Sequence, residues 1–288
     1  MRPEVACVGH PFLDLIFRGL AAIPAPGEEQ VARELAIVPG AIANVAYALR
    51  RLGLDAVICA PIGSDPAGRL LKQLLDEAGV PWIGRASTST PVSVALPAAG
   101  DRAFVTAAPP PEIDTETLAS LEPRAVVADL PNVALLPSLA THPRVYAVLG
   151  DPEVQALAGR LPASLDHVCA LILNEREARA LTGLAERDAA ARRLAGLGTT
   201  VVMTCGPDGA VAAQPDGTVA RASAIEVEAD DTTGAGDLFT AAWVRADLAG
   251  QPLDERLAFA TRYASMSLAA TPAGRQKGLT LEEVMQEV

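Results

Sequence analysis

One stretch of the sequence points to chemistry by residue type and spacing alone. Asp231-Thr232-Thr233-Gly234-Ala235-Gly236-Asp237 runs directly into the almost wholly apolar Leu238-Phe239-Thr240-Ala241-Ala242-Trp243-Val244. Two glycines and an alanine leave the main chain bare at the start of a buried helix. There the first N–H groups have no intrahelical acceptor and the helix dipole is positive. Such a place binds an anion. Asp237 is the one charged side chain at this helix start that could face a substrate hydroxyl. A bare Gly-x-Gly would be read as a turn and a first-turn acid as a dipole partner, but the seven-residue string is far more specific.

Other candidates are weaker taken singly. Asn174 followed by Glu177 has capping-box spacing, and the helix it opens should end at Gly183. Thr204-Cys205-Gly206-Pro207-Asp208-Gly209 contains a Pro-Asp-Gly turn between two strand-like runs. Asp14 follows a short apolar strand and could simply cap a loop. Arg102 sits in an expected hairpin, as a solvated charge or a substrate contact. No G-x-x-x-x-G-K-[ST] loop occurs, which disfavours a P-loop nucleotide site.

The string Asp231 to Asp237 resembles the C-terminal signature of the ribokinase-like, or PfkB, carbohydrate kinase family. Four further segments match that family's order: Gly9 to Asp14 with the turn Pro24 to Glu28, Pro39-Gly40-Ala41-Ile42-Ala43-Asn44, Ile62-Gly63-Ser64-Asp65-Pro66-Ala67-Gly68, and Asn174-Glu175-Arg176-Glu177. The resemblance implies transfer of the γ-phosphoryl group of ATP to an alcohol, a primary hydroxyl of a sugar or polyol. It implies Asp237 as general base and the main chain of Gly234, Ala235, Gly236 and Asp237 as the anion hole. Asp14, Gly40 and Asn44 become substrate contacts, and Asn174, Thr204, Gly206 and Gly209 nucleotide contacts. Glu177 is implied in orienting hydrated Mg2+, with Asp231 and the Thr233 carbonyl as ligands of a monovalent cation such as K+. Pro39 departs from the pattern, standing where the family has the first glycine of a pair, without an N–H and with φ fixed.

These residues need a scaffold, and the rest of the chain describes one. Short apolar runs at Glu4 to Gly9, Leu54 to Ile62, Ala125 to Ala128, Val145 to Leu149, Val168 to Leu173 and Thr200 to Thr204 alternate with helix-like segments. Among these, Ala41 to Leu52 stops at Gly53, and another is capped by Asp65-Pro66 and stops at Gly79. The expected fold is α/β, a three-layer αβα sandwich with a mostly parallel central sheet, whose active sites gather at the carboxyl ends of the strands. Residues 1–288 are expected to form one domain. Segments 15–35 and 85–108, including a hairpin of Pro91 to Leu96 and Arg102 to Thr106, should add a small β lid. That lid could also pair with a second copy of the chain.

Composition excludes several function classes. The 288 residues are 50% hydrophobic and 20% charged, enough for a substantial core. A net charge of −12, with Lys72 and Lys277 the only lysines, argues against nucleic-acid phosphates and anionic membrane surfaces. Cys7, Cys59, Cys169 and Cys205 have no C-x-x-C spacing, and His10, His142 and His167 form no pattern with them, so neither a zinc site nor a thiol nucleophile is expected. With no signal-peptide profile and no long apolar run, the expected location is cytoplasmic. Alternatives to the sugar kinase are a nucleoside kinase of the same fold, a non-catalytic sugar or nucleotide sensor, and a dinucleotide-dependent oxidoreductase. The last lacks the third glycine of G-x-G-x-x-G.

Overall fold

The computed structural model describes residues 2–98, 101–107, 112–136, 143–157, 159–227, 234–269 and 278–286. Nine strands form the central sheet. In spatial order they are β15 (Val219–Ala222), β14 (Ala210–Ala213), β13 (Thr200–Thr204), β12 (Ala170–Asn174), β11 (Arg144–Val148), β10 (Ala125–Asp129), β1 (Val5–Val8), β4 (Ala56–Cys59) and β6 (Trp82–Ile83). Every neighbouring pair from β13 to β6 is parallel, and β14 and β15 close one edge antiparallel. Val-Ala-Cys-Val in β1 and Ala-Val-Ile-Cys in β4 are buried at every position, as strands covered on both faces must be.

Chain order builds outward from β1 in both directions. The chain first moves to β4 and β6 on one side, then returns to β10 and continues through β13 on the other. The order therefore reverses between β1 and β10, and the crevice beyond their carboxyl ends is where a sheet of this type holds its ligand.

The expected strand Leu54 to Ile62 is broken in two. Pro61, which has no N–H to donate, separates β4 from the short β5 (Ile62–Gly63), and β5 pairs instead with β7 (Ala86–Ser87). The Ala60 carbonyl beside it accepts the Trp82 indole N–H at 2.5 Å.

A second sheet has the order β3-β2-β8-β9, formed by β2 (Pro11–Arg18), β3 (Glu34–Ala41), β8 (Val92–Ala98) and β9 (Asp101–Ala107). It is the expected lid, but its first arm starts earlier and ends later than residues 15–35. Asp14 accordingly lies within a strand, paired with Val38 and Ser93, and not in a loop. Pro39 is accommodated because β3 is an edge strand, where a missing N–H removes no ladder bond to an outer neighbour.

Ten α-helices lie among the described residues: α1 (Ile42–Arg51), α2 (Pro66–Glu77), the short α3 (Thr115–Ala119), α4 (Leu130–Val133) and α5 (Asp151–Leu157), then α6 (Glu175–Thr182), α7 (Arg187–Ala195), α8 (Ala235–Leu248), α9 (Leu253–Ala269) and α10 (Leu281–Gln286). Asp65 caps α2 by accepting from the Gly68 amide at 2.8 Å. α8 is buried on nearly all sides, from Leu238 through Val244, packed against α1 and α9. Its far end is anchored by Asp247, which is 7% exposed and accepts from Arg144 at 2.6 Å and from the Tyr146 hydroxyl, with Arg256 also paired to it. With that end fixed, the amino end of α8 is aimed at the crevice. No helix among the described residues is long and apolar enough to cross a membrane.

Candidate active site

α8 begins at Gly234, whose φ of 80° and ψ of 0° suit a residue without Cβ. Gly234 has no side chain to cap this helix, and no side chain among the described residues caps its first amides. A Cβ built on Gly236 meets nothing within 4 Å among the described residues, which leaves the main chain there open on that side. Asp237, in the first turn, turns inward. Its Oδ2 accepts the Asn44 amide N–H at 2.9 Å. Burial pushes the Asp237 carboxyl up to about 6, and the Asn44 hydrogen bond opposes that rise.

Asn44 reaches this point because β3 passes into α1 with no intervening loop. The joint is Ala41, at φ 54° and ψ −129°, the one positive-φ non-glycine among the described residues. Such a conformation costs about 1–3 kcal/mol and persists only where its surroundings enforce it. Just before it, Gly40 lies against Asp14. A Cβ there would fall 1.9 Å from Asp14 Oδ2 and 2.4 Å from its Cγ. The glycine thus makes room for the carboxylate. Asp14 is 9% exposed, and burial, followed by the charge on Asp237, pushes it up to about 7.

A third carboxylate completes the acceptor side. Asp129 ends β10 at the order reversal of the sheet, with Gly9, just beyond β1, beside it. A Cβ on Gly9 would stand 2.7 Å from Asp129 Oδ2. Burial, then the charges of Glu153 and Asp237, push Asp129 up to about 7. Glu153 accepts the Gly150 amide at 2.9 Å.

The other half of the crevice lies beyond β12 and β13. Asn174 and Thr204 are paired at the carboxyl ends of these neighbouring strands. Asn174 caps α6, accepting the Glu177 amide at 2.9 Å, while Glu177 Oε2 accepts the Asn174 amide at 2.8 Å. Glu177 is 4% exposed. After Thr204 the chain makes a tight turn over Gly206–Asp208, closed by Cys205 N–H donating to the Gly209 carbonyl at 2.7 Å. The two turn glycines differ. Gly206, at φ 59°, has open space where a Cβ would lie, whereas one on Gly209 would sit 1.9 Å from the Ala222 carbonyl oxygen. Packing on β15 therefore dictates Gly209, while Gly206 leaves room for a ligand. Arg187 ties the two segments together, donating to Glu175 at 2.8 Å and to Asp208 at 2.6 Å.

The sequence profile described as "pfkB family carbohydrate kinase" matches residues 2–276. The chain belongs to that family. This PfkB kinase is 27% identical over 293 aligned positions to a nucleoside kinase of Methanothermobacter thermautotrophicus, covering 91% of this chain and 88% of that one. It is 26% identical over 283 positions to an ATP-dependent ribose-1-phosphate kinase of Halopiger xanaduensis, covering 95% and 93%. Among solved structures, an Arabidopsis thaliana ribokinase complexed with ribose and ATP shares the fold, with a TM-score of 0.79, 22% identity and coverage of 99% and 98%.

In the PfkB kinase fold the described candidates fall into two groups. Asp14, Gly40, Asn44 and Asp237 are linked by direct contact or electrostatic proximity. Asn174, Glu177, Thr204 and Gly206 share the adjoining strand ends. Asp231 and Thr233 lie outside the described residues. Arg102 stands opposite Pro97 in the β8–β9 ladder, and its side chain is not among those described. Sequence reasoning missed Asp129. The apolar run was ended one residue early, at Ala128, and the usable signal was an acid closing a buried strand before Leu130-Pro131.

Proposed function

We propose that this carbohydrate kinase uses Asp237 as the base that takes the proton of an acceptor hydroxyl as the oxygen attacks the γ-phosphorus of ATP. The new O–P bond forms as the bond to the leaving ADP oxygen breaks, and the proton moves to Asp237. A carboxyl held near 6 is a better base than an ordinary Asp near 3.9, yet remains mostly ionised at neutral pH. The uncapped amides of Gly234 to Asp237 would stabilise charge on the transferring group. The observation that carries this reading is the Asn44 to Asp237 hydrogen bond, which fixes an acid beside that uncapped helix start.

Asp14 and Asp129, both under the influence of the Asp237 charge, would accept hydrogen bonds from acceptor hydroxyls, a task suited to carboxylates with several lone pairs. Asn174, Thr204 and Gly206 would border the nucleotide, with Gly209 supporting the turn. Bound Mg2+ would neutralise phosphate charge, and Glu177, whose carboxylate accepts the Asn174 amide, is the acid that would orient it by resemblance. Asp231 and Thr233 would hold a monovalent cation, K+ by resemblance. Arg102 would reach the acceptor from the lid.

The whole chain, 1–288, would act as one ribokinase-like unit. The row Ile37, Leu15, Val94 and Val105 runs across the lid face opposite Asp14, with Val105 64% exposed, which supports pairing of two copies through the lid. Four thiols without a disulfide fit a reducing, cytoplasmic setting. A nucleoside acceptor is the second reading, favoured by the likeness to the Methanothermobacter enzyme. ADP release with magnesium-ATP and a panel of sugars and nucleosides tests the proposal. A phosphorylated acceptor must appear in step with ADP.

A further inference from the structure

We infer that the acceptor of this kinase bears no negative charge: it is a neutral polyhydroxyl compound, a free sugar or nucleoside, and not a sugar phosphate or sugar acid. The inference rests on the kinase reading and deepens it, because the relatives include an enzyme named for a phosphorylated sugar.

The argument is electrostatic and begins from geometry. Asp14, buried in β2, is seated against Gly40, and Asp129, at the end of β10, against Gly9. Asp237 is held by Asn44, close enough to act on both, and Glu153 is close enough to act on Asp129. These acids act on one another. Asp237 raises both Asp14 and Asp129, and Glu153 also raises Asp129. Among the described residues, no Lys or Arg is ion-paired with Asp14, Asp129 or Asp237, and none lowers their carboxyls.

Among the described residues two features oppose this negative field, and both are smaller; Arg102, whose side chain lies outside them, is the cation that the test below removes. The uncapped starts of α1 and α8 each present roughly half a positive charge. That of α8 is already committed to the transferring phosphoryl group. Burial raises all three carboxyls, yet the described acceptor side still presents three carboxyl groups and no ion-paired cation. Hydroxyls suit that surface, since each can donate to a carboxylate. A phosphate or carboxylate would bring like charge into a partly buried, weakly screened crevice.

The test measures ADP formation with magnesium-ATP for matched acceptors: ribose against ribose 1-phosphate and ribose 5-phosphate, fructose against fructose 6-phosphate, glucose against gluconate, and a set of ribonucleosides. The expected result is activity with at least one neutral compound and kcat/KM lower by about 10²-fold or more for its charged counterpart. Asp129→Asn and, separately, Asp14→Asn should narrow that ratio by about tenfold, whatever each does to the absolute rate. Preference for a phosphorylated or carboxylated acceptor overturns the inference while leaving the kinase reading intact, above all if Arg102→Gln abolishes the preference. A ratio that neither carboxylate substitution moves also overturns it, since shape and not charge would then be selecting. ADP from no acceptor at all removes the kinase reading and this inference with it.

Discussion

The Asn44 side-chain amide donates to Asp237 across 2.9 Å, joining residues 193 positions apart. The bond ties the helix that emerges from the lid to the helix that carries the proposed base. It also holds the Asp237 carboxyl below the value that burial alone would impose.

Asn44→Ala should therefore move the acid limb of the rate profile. Activity requires ionised Asp237, so the rate falls as the pH drops through about 6. Without the hydrogen bond the carboxyl rises further, and the acid limb should shift upward by about half a unit to one unit. A kcat profile across about pH 5 to 9 checks this. An unmoved acid limb would disconnect Asn44 from the protonation of the base.

Asp129 bears on stability in the direction opposite to a salt-bridged acid. Its folded-state pKa of about 7 lies above the roughly 3.9 of an unfolded Asp. The folded chain holds the proton more tightly, so this contribution is complete below about pH 4 and is lost as the pH rises toward 7. Asp129→Asn, which cannot ionise, should raise the melting temperature at about pH 8, by about 1–3 kcal/mol of stability, with a much smaller gain near pH 4.5. Thermal unfolding of both proteins at the two pH values checks the sign. A variant less stable than the parent at the higher pH would contradict it.

Gly40→Ala places a methyl group where the Asp14 carboxylate now sits. Asp14 must swing away, and kcat/KM for the acceptor should fall by about 10²-fold while KM for ATP stays within about twofold. Steady-state kinetics with each substrate varied separately provides the check. Equal damage to both would mean that the substitution disturbs the whole crevice.

Ala41→Gly tests the strained joint between lid and body. At φ 54° and ψ −129° glycine is at ease where alanine is not, and the relief exceeds the added freedom of the unfolded chain. Stability should rise by about 1 kcal/mol in a denaturant titration. A lower midpoint would argue that the conformation costs Ala41 nothing.

Much of this architecture is legible in the sequence because the buried strands are nearly continuous apolar runs and the helices carry their own punctuation. Thr200–Thr204 coincides with its expected strand, and the capping pair Asn174 and Glu177 and the stop at Gly183 are all present. Asp14 was harder to place. Its strand is held by pairing with β3 and β8, which come from distant parts of the chain, so local pattern suggested a loop. Asp129 was invisible for a related reason. Its significance arises only from the reversal of strand order between β1 and β10 and from charges contributed by Asp237 and Glu153. Glycine roles likewise needed coordinates, since Gly206 and Gly209 look alike in sequence but face open space and a carbonyl oxygen respectively.

The central claim is that Asp237 accepts the proton of the acceptor hydroxyl. Its most direct test is ADP formation by Asp237→Asn, using the acceptor that the parent enzyme turns over best, together with ATP and acceptor binding by calorimetry. The account predicts turnover lower by about 10²- to 10⁴-fold, with both ligands still bound and the melting curve still cooperative. Turnover equal to that of the parent enzyme would contradict it.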